Sequence, residues 1–116
     1  MFIDIRARGF SLTDAIHDHV TLRIETALAP FARSVLTVTS RLEDVNADHG
    51  GVDKRCRLVT LVRRRGTGVA EAVHEDLYAA IDEAAHRIRR SVQRLLTRRI
   101  ARQRKDPQRP GALIVI

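Results

Sequence analysis

The chain is poor in the residues that several classes of protein require. It has one cysteine, Cys56, among 116 residues, which excludes an intramolecular disulfide framework and a zinc site built from cysteines. One thiol fits a reducing compartment, so we expect a cytoplasmic protein. The four aromatic side chains, three Phe and one Tyr, are too few for a surface that stacks nucleic-acid bases.

Long apolar segments are also missing from the sequence. No run approaches the roughly 18 apolar residues that a membrane-spanning helix needs. Residues 3–6 alternate between isoleucine and charged side chains, unlike the apolar segment of a signal peptide. We therefore expect neither a membrane-spanning helix nor a signal peptide in this sequence.

Patterns that indicate catalysis or cofactor binding are weak. The five histidines include no HExxH motif and no two histidines at helical i,i+4 spacing, which argues against a metal site. Gly66-Thr67-Gly68 lacks the third glycine of a dinucleotide-binding turn. Cys56 lies in a predicted strand and shares a face with apolar residues such as Leu58 and Val62, so a buried structural side chain is favoured over a nucleophile. The sequence predicts neither an enzyme nor a bound cofactor or metal.

Positive charge is what the chain has in excess. Lys and Arg number 21 against 14 Asp and Glu, a net charge of +7, and 19 of those cations are Arg. Because guanidinium groups pair with phosphate oxygens through two hydrogen bonds, this composition favours a polyanionic partner. Nucleic acid and an acidic membrane surface both fit the charge alone.

Apolar periodicity predicts six elements in the order β-α-β-β-β-α. Alternation predicts strands over 2–7, 35–45, 55–63 and 69–73, with a turn cluster at 46–51 and a hairpin turn at 66–68. Helical spacing predicts one helix from a cap at Ser11 or Thr13 to Pro30, and a second from Glu75-Asp76 to about residue 98. Strand 55–63 is apolar on both faces, so its inward face stays open. The fold class is α+β, a four-stranded sheet with both helices on one face.

The second predicted helix carries a basic stripe. At 100° per residue, four of its arginines fall within an arc of roughly 80°, away from the apolar stripe of Ile88 and Val92. They are Arg87, Arg90, Arg94 and Arg98. Such one-sided charge is typical of phosphate binding, and the alternative is a solvated outer face. Glu83 with Arg87, and Asp82 with His86, are predicted structural i,i+4 pairs.

A second basic cluster precedes the predicted hairpin turn. Arg63, Arg64 and Arg65 could contact phosphate or could protect the sheet edge from aggregation, and the sequence does not decide between these roles. Arg23 is a lone cation in the middle of the first helix, and one isolated charge is no evidence for phosphate binding.

Residues 76–82, Asp-Leu-Tyr-Ala-Ala-Ile-Asp, followed by regularly spaced arginines, resemble the bacterial ribosome hibernation-promoting factors, also called the ribosome-associated inhibitor or protein Y family. Ile3, Ile5, Gly9, the Leu-Thr-Asp-Ala-Ile stretch, Arg23 and Val69-Ala-Glu-Ala match the spacing of the family as well. The resemblance covers residues 1–105, which we expect to form the ribosome-binding domain, with 106–116 as a tail.

The resemblance implies a layout like that of double-stranded RNA-binding domains. It implies binding in the small-subunit channel of mRNA and of A- and P-site tRNA, and a block of decoding under stress. By position, the rRNA-contacting residues are Arg23, Arg87, Arg90, Arg94 and Arg98. A general double-stranded RNA-binding module is the alternative.

Partners and assembly are further expectations. The small ribosomal subunit is the expected partner, with no DNA and no membrane. The chain looks like the short form of the family, so we expect a monomer that does not pair ribosomes by itself. Whether it does so with another factor, and what the apolar Ala112–Ile116 does, the sequence leaves open.

Overall fold

The computed structural model describes residues 1–45 and 53–105, and the side chains among them up to Thr97. The element order is the predicted one: β1 (Phe2–Arg8), α1 (Asp14–Leu28), a short 3-10 turn (Ala29–Phe31), β2 (Val35–Asp44), β3 (Lys54–Val62), β4 (Gly66–His74) and α2 (Leu77–Lys105). The predicted turn at 46–51 and tail at 106–116 lie outside the described residues.

The four strands form one sheet in chain order. β1 pairs parallel to β2, while β2, β3 and β4 are antiparallel neighbours. A parallel first pair needs a crossover connection, and α1 supplies it. β1 and β4 are consequently the edges of the sheet.

Both helices cover one face of the sheet, as predicted. The buried side chains of that face come from β2, β3 and β4, and those of β1 are partly buried against them: Val38, Leu42, Cys56, Leu58, Val62, Ala70, Ala72, Ile3, Ile5 and Ala7. Cys56, Leu58, Thr60 and Val62 are the inward side chains of β3, which answers the question that its sequence left open. The helices leave the opposite sheet face uncovered.

Helix α1 begins where the sequence predicts. The Thr13 side chain accepts a hydrogen bond from the Ile16 backbone N–H at 3.2 Å, which satisfies one donor of the first turn. Val20, Ile24 and Leu28 follow at four-residue intervals and are fully buried. This spacing places one narrow apolar stripe of α1 against the core.

Helix α2 lies over β3 and β4 and also contacts α1. Asp76 caps it, since its Oδ1 accepts a hydrogen bond from the Tyr78 backbone N–H at 3.1 Å. Gly68 of β4 permits the close approach of this helix, because a Cβ there would lie 3.0 Å from Ser91 Oγ. The helix continues to Lys105, beyond the predicted end near residue 98.

The hairpin turn differs from the prediction. Gly66, Thr67 and Gly68 belong to β4, and the turn is formed by Arg63–Arg65. Arg64 has φ of 60° and Gly66 has φ of 102°, so one arginine and one glycine adopt a positive φ in this hairpin. The sequence pattern pointed to the glycines because an arginine seldom takes this conformation.

Candidate nucleic-acid interface

Three of the predicted arginines line one groove. Arg87, Arg90 and Arg94 project from α2 along edge strand β4, where a groove of about 320 Å³ also contacts Val69–Glu71. All three side chains are exposed. The groove therefore combines guanidinium groups with the outer edge of a strand, on the side of α2 that faces away from α1.

The three arginines of this groove differ in whether their guanidinium groups already have protein partners. Arg87 forms an ion pair with Glu83, as predicted, and donates from Nη1 to the Glu71 carbonyl oxygen at 2.7 Å. Arg87 thereby fixes α2 to β4 and has fewer donors left for a ligand. Arg90 and Arg94 have no protein partner among the residues that the structure describes, so they are the free cations of the groove.

A notch between the two helices holds Arg23. Its Nε donates to Asp82 Oδ1 at 3.1 Å, and His19 Nε2 lies 2.7 Å from the same oxygen. The His19 ring also meets Tyr78 edge to face, with 4.8 Å between ring centroids. Asp82 thus joins α1 to α2, and the predicted Asp82–His86 pair is wrong, because the carboxylate is already engaged by His19 and Arg23 of α1.

This arrangement gives Arg23 a defined orientation. An arginine has five N–H donors, and Asp82 is within reach of Nε, so the two terminal nitrogens remain available to a ligand. His86 and Arg89 line the same notch, which has a volume of about 170 Å³. The carboxylate holds the guanidinium at the mouth of the notch.

Arg89 is a candidate that the sequence reasoning missed. It is exposed and lines the notch beside Arg23, on the other flank of α2 from Arg87 and Arg94. Arg89 lies outside the 80° arc that defines the basic stripe, so the helical wheel did not single it out. It could be recognised only once α1 was known to pack against that flank of α2.

The Arg63–Arg65 cluster lies at the same end of the molecule as Arg94. Gly68 packs on Ser91 and Leu95, and Arg94 lines a cavity with Thr67, so α2 passes the β3–β4 turn along this stretch. The Arg63 backbone N–H also donates to the Ser34 carbonyl oxygen at 2.7 Å, which fixes the turn against the segment before β2. The fold therefore places the β3–β4 turn and Arg94 at the same end of the sheet, which the sequence alone does not show.

Arg98 belongs to α2, but its side chain lies outside the described residues. The contribution of Arg98 stays a prediction.

The described residues offer little that catalysis requires. Burial raises the pKa of the Cys56 thiol to about 12, so the thiol is protonated at neutral pH and is a poor nucleophile. Among the side chains of residues 1–45 and 53–97, no group of three or more His, Cys, Asp or Glu is placed to hold a metal ion. No helix in the part of the chain that the structure describes is long and apolar enough to cross a membrane.

The geometry defines a class of protein: a small α+β domain with a cationic helix layer that has a groove on one flank and a notch on the other. Residues 3–100 match the family model described as sigma 54 modulation protein / S30EA ribosomal protein, and the chain belongs to this family.

Several solved structures share the fold, including the two that follow. A ribosomal subunit interface protein from Coxiella burnetii has a TM-score of 0.72 at 14% identity, over 84% of this chain and 99% of that one. The Protein Y N-terminal domain of Thermus thermophilus has a TM-score of 0.67 at 27% identity, over 81% of this chain and 98% of that one. Among curated proteins, no sequence matches the chain.

Proposed function

We propose that this protein is a ribosome-associated translation inhibitor of the hibernation type, which binds small-subunit rRNA in the mRNA and tRNA channel and blocks decoding. Membership of the S30EA family and the likeness to a Protein Y domain support the ribosome as partner. Residues 1–105 are the binding unit of this proposal, which involves no catalytic step and takes place in the cytoplasm with the protein as a monomer.

One observation carries the proposal: the exposed cations of the helix layer form two sites on the flanks of one helix. Arg90 and Arg94 line the groove, while Arg23 and Arg89 line the notch. Phosphate groups along a folded RNA can occupy both sites at once, and each neutralised phosphate adds to the affinity by releasing counterions.

The turn Arg63–Arg65 extends this surface past the end of the sheet. Thr67, two residues after the turn, lines a cavity together with Arg94, so a ligand that extends from the groove past Arg94 would approach the turn. The alternative role of this cluster, protection of a sheet edge, does not require a neighbouring arginine on α2. The adjacency therefore favours RNA contact.

The test is co-sedimentation of the full chain with purified small subunits, large subunits and a free RNA duplex, at fixed ionic strength. The proposal expects pelleting with small subunits and at least tenfold weaker binding to the duplex and to large subunits. Equal affinity for all three would instead favour the general double-stranded RNA-binding module, which reads only A-form shape.

A matched pair of variants separates the site from net charge. Arg90→Gln with Arg94→Gln removes two positive charges from the groove, and we expect at least a tenfold loss of small-subunit binding. Ala15→Glu with His17→Glu lowers the net charge equally, on exposed positions in the first turns of α1. If the control pair weakens binding as much as the groove pair, the arginines act only through net charge.

A further inference from the structure

The sheet face opposite the helices has no covering element among the described residues. It is formed by the side chains that alternate with the buried ones, in cross-strand rows fixed by the register. Nothing in the proposed contacts of α1 and α2 uses this face. Its two halves differ in chemistry.

One half is apolar and exposed. Phe2, Leu61 and Val69 have exposed fractions of 67%, 43% and 46%. Val69 stands directly opposite Val59, and Leu61 is opposite Thr67, two residues along from that pair. Cross-strand neighbours at these positions contact one another, so Leu61, Val59 and Val69 form one apolar patch, and Phe2 lies at the end of the Leu61 row, beyond Thr37.

The other half carries three arginines in one cross-strand row. Arg6 stands opposite Arg41, and Arg41 opposite Arg57. The outer two have acidic neighbours: Arg6 Nε is 3.0 Å from Asp4 Oδ2, and Arg57 Nη1 is 3.5 Å from Glu71 Oε1. Arg41, between them, is exposed and has no acidic partner within the described part of the chain.

Like charges directly opposite each other destabilise a sheet. The central position of Arg41 is therefore unfavourable in the free protein and becomes favourable when an external carboxylate joins the row. A cavity of about 330 Å³ opens beside it, with Arg6, Arg8, Arg41 and Glu43 among its lining residues. Three arginines against one glutamate leave the cavity net positive, so it offers guanidinium groups to an incoming acidic side chain.

An apolar patch beside arginines matches the composition of protein interfaces, where apolar contacts form the centre and Arg is enriched. RNA fits this face less well, because base stacking needs aromatic side chains and Phe2 is the one aromatic here. Phe10 and Phe31 pack on the core, and Tyr78 lies against His19. A second copy of the chain, with a net charge of +7, supplies no excess of acidic groups.

We infer that this open face is a docking surface for an acidic amphipathic segment of a ribosomal protein, with apolar side chains on Leu61 and Val69 and a carboxylate at Arg41. The inference rests on the proposed function for the identity of the partner. It goes further by assigning the helix layer to RNA and the opposite sheet face to protein.

The test places a photoreactive benzophenone amino acid at position 61 or 69 of the full chain, in complex with purified small subunits. After irradiation we expect an adduct with one ribosomal protein, mapped to a segment that contains Asp or Glu. The same amino acid at Leu22, which is 60% exposed on α1, should not give this adduct.

Charge variants test the acidic component. Arg41→Glu should lower the adduct yield at least fivefold. Ala15→Glu with His17→Glu changes the net charge equally and should leave the yield within twofold. Circular dichroism checks that each variant is folded.

Adducts with rRNA, with a second copy of the chain or with residues 106–116 would overturn the inference. So would the absence of any adduct while the chain still sediments with the subunits, since the face would then be solvated. Failure to sediment at all would refute the proposed function and this inference with it, and the pelleting assay distinguishes that outcome from the others.

Discussion

At the scale of single residues, Cys56 shows how burial sets chemistry. The side chain is fully buried, and its Sγ lies 4.0 Å from Ser40 Oγ, which is also buried. Desolvation raises the thiol pKa from 9.0 to about 12, and the weak contact with Ser40 offsets only part of this effect. The residue acts as a small apolar side chain of the core.

The thiol makes the stability of the protein depend on alkaline pH. The pKa of the thiol is higher in the folded than in the unfolded chain. Its contribution to the free energy of unfolding is therefore complete below pH 9 and is lost as the pH rises towards about 12. We expect the difference in unfolding free energy between the native protein and Cys56→Ala to fall by a few kcal/mol (about 1.4 kcal/mol for each pKa unit) over this range.

Urea denaturation at several pH values measures this difference. Comparison with Cys56→Ala cancels other alkaline titrations, such as that of Lys54, whose pKa is raised chiefly by its hydrogen bond to Asp53. A difference that stays constant between pH 8 and 11 would contradict the assigned burial. A thiol that reacts with a disulfide reagent at neutral pH without unfolding would do the same.

At the scale of elements, α2 separates stability from binding on its two faces. Ile88 and Val92 are fully buried, whereas Arg90 and Arg94 are exposed. Ile88→Ala should lower the unfolding free energy by about 2–5 kcal/mol, because it leaves a cavity in the core. Arg90→Gln with Arg94→Gln should change it by about 0.5 kcal/mol or less per site.

Denaturation and co-sedimentation on the same samples check this separation. The arginine variant should lose binding and keep its denaturation midpoint. Ile88→Ala should keep its binding under conditions where it remains folded. A common loss of stability in both variants would mean that the faces of α2 are wrongly assigned.

Periodicity predicted the elements but not the contacts between them. The helix stripes were readable because each buries one face, as Val20, Ile24 and Leu28 do. Strand β3 was ambiguous because Val59 and Leu61, on its outward face, are apolar as well: Val59 is half-buried and Leu61 is exposed. An outward face that is itself apolar removes the signal on which the prediction of the inward face depends.

The partner of Asp82 and the role of Arg89 depend on contacts between helices, which the sequence pattern does not show. Asp82 was assigned to His86 by helical spacing, yet its carboxylate binds His19 and Arg23 of α1. Spacing within one helix carries no information about which side a second helix covers. For the same reason Arg89 was missed.

At the scale of the whole molecule, the helix layer and the open sheet face differ in how their arginines are paired. The helix layer carries Arg90, Arg94, Arg23 and Arg89 with few acidic neighbours, while the arginines of the open face are mostly paired with Asp4, Glu43 and Glu71. Net charge therefore acts mainly through the helix layer. The salt dependence of binding should report on that layer and little on the open face.

The affinity for small subunits should fall steeply with salt. If about six arginines neutralise phosphates, the slope of log K against log salt concentration should be about −4 to −5, because each contact releases counterions. Removal of two contacts by Arg90→Gln with Arg94→Gln should make the slope shallower by about 1.5 to 2. Arg41→Glu should leave the slope nearly unchanged, since its proposed partner is a carboxylate rather than a phosphate. Titrations at several salt concentrations measure all three slopes, and a native slope shallower than about −2 would mean that the basic helix layer is only a solvated face.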